Sequence, residues 1–170
     1  QGPSNRPVPP TLEKIFNLRG SSLGKIDVQV GEVRSLDDER FSHESASMGM
    51  WEPIGFMKSG RAGIFFLEPY DPARIPVLFI HGINGTPRNF KTIIEGLDRQ
   101  KFQPWVLNYP SGLDLRALGD GLVGILAELR HRYGFNSLHF VAHSMGGLMI
   151  REFMAECTRS NACDYAGNFV

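Results

Sequence analysis

The sequence predicts an α/β protein, a mostly parallel sheet with helices on both faces, and three observations carry that expectation. Short strand-like runs occur at residues 77–80, 103–108 and 137–142, and the first is wholly apolar, as strands buried on both faces are. Apolar residues at helical spacing follow each run. Strand and helix therefore alternate from residue 77 onward, the pattern of βαβ units.

The elements follow in order. Residues 1–10 carry four prolines with Gly, Ser and Asn, and read as an extended tail or linker. Residues 25–33 alternate, with Ile26, Val28 and Val30 on one side, which predicts a half-buried strand. The polar, Ser-rich stretch 37–50 reads as surface loop. Residues 62–67 form a β-favouring run stopped by Pro69 and Pro72. After the strand at 77–80, residues 81–86 turn, and Thr86-Pro87 supplies an N-cap with proline at the first helical position. Phe90, Ile93, Ile94 and Leu97 then recur at helical spacing. Asp114 opens a longer helix with Leu115, Leu118, Leu122, Ile125, Leu126 and Leu129 on one face, and Gly134 ends it. The strand 137–142 turns at His143-Ser144-Met145-Gly146-Gly147 into a helix carrying Leu148, Met149, Ile150, Phe153 and Met154. We expect residues 1–60 to be a Pro/Ser-rich N-terminal extension with at least one strand, and 61–170 to be the front part of a longer α/β domain.

Composition narrows the function. Eighteen Lys+Arg balance eighteen Asp+Glu, so nothing in the charge calls for nucleic acid or an anionic membrane as partner. No apolar stretch approaches the ~20 residues a membrane helix requires. Cys157 and Cys163 fit either a small disulfide or two inert thiols, and two cysteines are too few for a structural zinc site.

The chemistry centres on Ser144. A serine on a tight strand-to-helix turn projects its hydroxyl above the sheet, at the carboxyl ends of the strands where ligands bind. Small residues two positions either side, Ala142 and Gly146, let neighbouring backbone approach. The helix that follows aims free N–H groups at any oxyanion formed there. A Gly-Gly pair at a helix start also serves close helix–sheet packing. The loop His81-Gly82-Ile83 ends the strand expected beside the serine strand. The N–H groups of Ile83 and Met145 are the candidate oxyanion donors. A phosphate-loop reading fails, because no Gly-Lys-Ser/Thr follows.

Residues 78–82 (Leu-Phe-Ile-His-Gly) and 142–147 (Ala-His-Ser-Met-Gly-Gly) resemble the oxyanion strand-loop and nucleophile elbow of bacterial lipases and esterases of the α/β-hydrolase superfamily. The resemblance covers about residues 75–155; Ala142 stands where Gly is commoner. It implies the α/β-hydrolase fold, here ending after the elbow helix, and hydrolysis of a small-molecule or lipid ester through an acylated serine, with no metal and no organic cofactor. The same machinery serves thioesters and acyl transfer, and a catalytically silent binding module keeps the same fold.

In that family an Asp or Glu and then a His follow the nucleophile. After Ser144 come Glu152, Glu156 and Asp164, but no histidine. His43, His81, His131, His139 and His143 all precede it. His81 is expected to shape its loop and His143 to point away from Ser144. His139 and His143, four residues apart on a strand, stand ~13 Å apart, too far to share a metal ion. The base and its carboxylate are therefore expected from beyond residue 170, making a C-terminal segment of the same chain the expected partner, with residues 165–170 approaching the next strand. Residues 1–170 alone are expected to be inactive and, with an open sheet edge, to self-associate.

Overall fold

The computed structural model describes residues 26–161 and 163. The proline-rich tail at 1–10 and the strand approach at 165–170 lie outside the described residues.

Five strands form one sheet: β1 (Val28–Val33), β2 (Ala62–Phe66), β3 (Ile75–Ile80), β4 (Phe102–Asn108) and β5 (His139–Ala142). Their order is β1-β2-β4-β3-β5. All neighbouring pairs are parallel except β2 with β4. β1 is the alternating segment seen in the sequence. A bulge between Val30 and Glu32, with Gly31 at φ 80°, shifts its register on β2.

Side-chain alternation divides the core into two layers. Ile64 and Phe66 of β2, Leu78 and Ile80 of β3, and Trp105 and Leu107 of β4 face one side. There they meet α4 (Leu115–Tyr133), through Leu118, Leu122, Ile125, Leu126 and Leu129, and α5 (Met145–Ser160), through Met149 and Phe153. Phe66 stacks on Trp105 with centroids 4.3 Å apart. On the other side Phe65, Val77, Phe79 and Val106 pack with Phe41, Phe90 and Ile94. Apolar residues on both faces of β3 are what its unbroken run dictates.

The caps of α4 match expectation: Asp114 Oδ1 accepts from the N–H groups of Arg116 and Ala117, and Gly134, at φ 69°, closes the helix. Cys157 and Cys163 form a disulfide at the C-terminal end of α5.

One expectation is corrected. Residues 37–50 are not loop: a 3-10 turn (Glu39–Phe41) leads into α1 (His43–Trp51), and α2 (Pro53–Lys58) follows. Ser42 caps α1, its Oγ accepting from Ser45 N–H at 3.1 Å. The buried residues of α1 are Ser45 and Gly49, so it has no apolar stripe for a periodicity reading to detect. Gly49 lets it lie against the Phe56 ring and the Pro110 backbone. The segment after Thr86 also differs in detail, a 3-10 turn (Pro87–Phe90) running into short α3 (Lys91–Glu95). Thr86 and Asn89 cap that turn reciprocally, and Ile93 points outward while Ile94 is buried.

Candidate active site

The chain leaves β3 for β4 on one side, then crosses back to β5 on the other. Connections that depart in opposite directions open a crevice at the carboxyl ends of the strands. Both turns singled out in the sequence end at this crevice, residues 81–83 after β3 and residues 143–144 after β5.

Ser144 has φ 53° and ψ −121°, a conformation unusual for a residue with a side chain. Holding it there costs on the order of 1–3 kcal/mol, which surrounding contacts must offset. His143 N–H donates to Ile80 O at 3.1 Å, tying the turn to the end of β3. Gly146 and Gly147 N–H groups donate to His143 O and Ser144 O, each at 3.0 Å, starting α5. Met145 N–H, at the first helical position, has no carbonyl one turn back within the helix. Gly82 lies against the serine: a Cβ added there would sit 3.1 Å from Ser144 Cβ.

In the facing loop, Asn84 N–H donates to Ser111 Oγ at 2.9 Å and Gly85 N–H to Gly82 O at 3.1 Å. Among the described residues, the hydrogen bonds that shape this loop do not use Ile83 N–H. Between the turns lies a cleft of about 450 Å³ lined by Gly82, Ile83, Asn84, Phe90, Ile93 and Ser144, among others. Ile83 and Ile93, 54% and 53% exposed, give it apolar lips.

His81 is buried beneath this loop. Its Nδ1 lies 2.9 Å from Gly82 O, which makes Nδ1 the protonated nitrogen, and its ring stacks on Tyr109. Tyr109 O–H donates to His81 O at 2.6 Å, and burial raises the phenol's pKa. Burial lowers the His81 pKa from 6.5 to about 4, outweighing its bond to Gly82. As pH falls, the unfolded chain takes up this proton near 6.5 and the folded protein only near 4. His81 thus contributes stability that is complete above about pH 6.5 and is lost towards pH 4, about 3 kcal/mol in all. Urea unfolding between pH 7 and 4.5 should show a steeper loss in wild type than in His81→Gln; equal slopes would refute this.

The other histidines stand apart from the serine hydroxyl's needs. His43 and His131 are exposed at helix ends, His139 lies on β5 with its ring near Phe102, and His143 is exposed at the turn. Among the described residues no hydrogen bond reaches Ser144 Oγ. Nor, among them, does any group of three or more His, Cys, Asp or Glu form a metal-binding set, and no helix is long and apolar enough to cross a membrane. Sequence reasoning passed over residues 109–112, which follow β4 and border the crevice. Their position after a strand on the carboxyl edge was the available signal.

No protein-family model matches the chain, and no curated protein matches its sequence. Among solved structures it is similar to the Bacillus licheniformis lipase BlEst2. The mature form aligns at 23% identity and a TM-score of 0.48, covering 60% of this chain and 42% of that one. The propeptide form aligns at the same identity and TM-score, covering 60% of this chain and 23% of that one. The likeness is distant and partial, spanning less than half of the mature lipase.

Proposed function

We propose that the protein is a serine hydrolase of ester bonds, lipid or other acyl, with Ser144 as nucleophile and the backbone N–H groups of Ile83 and Met145 as oxyanion hole. One observation carries the reading: the exposed Ser144, held at positive φ in a sparsely populated backbone conformation at the corner between β5 and α5. Such strain persists only where the surroundings impose it, and here it presents the hydroxyl to the cleft.

In this reading Ser144 Oγ attacks the ester carbonyl carbon as its proton passes to a histidine. The carbonyl oxygen, now anionic, accepts from Ile83 and Met145 N–H. The C–O bond breaks, the histidine's proton leaves with the alcohol, and water then hydrolyses the acyl-serine by the same steps. In this reading the histidine and its Asp or Glu are supplied from outside the described residues. The chemistry requires no metal and no organic cofactor.

A fluorophosphonate probe tests this on the full-length protein, where stoichiometric labelling at Ser144 is expected. The second reading, a silent binding module, draws on the absence of a histidine bonded to Ser144 among the described residues, and absence of labelling would favour it. Acyl transfer or thioester cleavage would appear as product on an added alcohol or as released thiol. The oxyanion assignment has its own check. Ile83→Pro deletes the N–H and should lower kcat about a hundredfold, whereas Ile83→Ala keeps it and should cost far less. Equal damage from both would assign the role to the side chain.

A further inference from the structure

We infer that Ser111 is a positioning residue for the oxyanion hole, holding Ile83 N–H in place by capturing the N–H of the next residue, Asn84; the inference rests on the hydrolase reading above. Ser111 follows β4 and is buried at 5% exposure, whereas Ile83 and Asn84 are exposed at the lip of the cleft. Its Oγ accepts from Asn84 N–H at 2.9 Å and lies 3.8 Å from Met50 Sδ, the acceptor its hydroxyl proton can reach.

The arrangement has a reason to exist. Asn84 sits at φ 52°, a left-handed state that asparagine tolerates but does not strongly prefer. The direction of Ile83 N–H depends on the peptide planes around it. Gly85 N–H on Gly82 O closes the turn over residues 83–84, and the bond from Asn84 N–H to Ser111 fixes how that turn sits against the segment after β4; without it the turn can tilt as a unit. A donor displaced by a few tenths of an ångström stabilises an oxyanion much less.

Ser111 is fixed in turn from the other side. Gly112 N–H donates to Gly49 O at 3.1 Å, fastening residues 110–112 to the end of α1. Gly112 approaches so closely that an added Cβ would lie 2.1 Å from Met50 O. A bonded path thus runs from α1 through residues 111–112 to Asn84 and the Ile83 peptide. The helix that the sequence concealed is what steadies this loop.

The test uses full-length wild type, Ser111→Ala and Ser111→Thr, a short-chain p-nitrophenyl ester, and amide hydrogen exchange at residues 83 and 84. Ser111→Ala should lower kcat about tenfold with KM within about twofold, as expected for support given mainly to the transition state. Exchange at Asn84 should quicken at least about tenfold. Ser111→Thr, which keeps the hydroxyl, should recover most of both. A Ser111→Ala enzyme with wild-type kcat, or one losing only KM, overturns the inference and leaves the hydrolase reading standing. A wild type that neither hydrolyses the ester nor takes a fluorophosphonate overturns the hydrolase reading and, with it, the positioning role.

Discussion

Ser144→Ala should lower ester hydrolysis by the full-length protein at least about a thousandfold while leaving its melting temperature nearly unchanged. The loss is large because the nucleophile works as a unit with its base, so what survives is binding and oxyanion stabilisation alone. Stability should hold because Ser144 is exposed and no hydrogen bond among the described residues reaches its Oγ. Ser144→Gly sharpens the test: with φ at 53°, glycine relieves strain that alanine retains, and should raise stability by roughly 1 kcal/mol while remaining inactive. Activity at a tenth of wild type in either variant would remove Ser144 from the mechanism. A Ser144→Gly protein less stable than Ser144→Ala would contradict the strained turn.

The second large effect is expected at the glycine pair that begins α5, where neighbours should respond in opposite directions. A Cβ on Gly146 would stand 2.5 Å from Ile80 O and 2.8 Å from His81 O. Both are backbone atoms of the end of β3 and the loop that follows it, so α5 must move away from β3 and carry Ser144 with it. Gly146→Ala should cost about 1–3 kcal/mol in stability, and most of the activity should go with the geometry. Around Gly147 an added Cβ meets nothing within 4 Å. Gly147→Ala, inside a helix, should therefore stabilise by roughly 0.5–1 kcal/mol. Denaturation midpoints of the two variants settle the matter, since similar shifts would mean that the close approach at Gly146 is not what requires glycine.

This contrast shows what a sequence can carry. The pair Gly146-Gly147 reads as either packing or chemistry, and the structure shows Gly146 packed against the backbone of Ile80 and His81. β3, α4 and α5 were legible because burial on two faces or on one stripe imposes its own periodicity. Ser144 was legible because its strand and helix both were. α1 was not, because its buried positions, Ser45 and Gly49, are selected for size and leave no hydrophobic rhythm. Ser111 was invisible for a different reason. Its contact with Asn84 joins residues 27 positions apart and exists only once β4 lies beside β3.

The reversed polarity of β2 decides which side of the molecule can be tethered. Because β2 runs against β4 and β1 runs with β2, both begin at the edge where β3, β4 and β5 end. Residue 28 thus enters the sheet on the side of the cleft, four strand spacings from β5, or about 19 Å. The β2–β3 turn lies at the opposite edge. There the side chain of buried Gln103 bonds the backbone of Asp71 and Arg74, while Pro72 and Ala73 stand exposed at the tip. A dye, affinity handle or solid support joined at 72–73 faces away from the cleft on a braced anchor. The same cargo fused ahead of residue 28 enters on the side of the cleft.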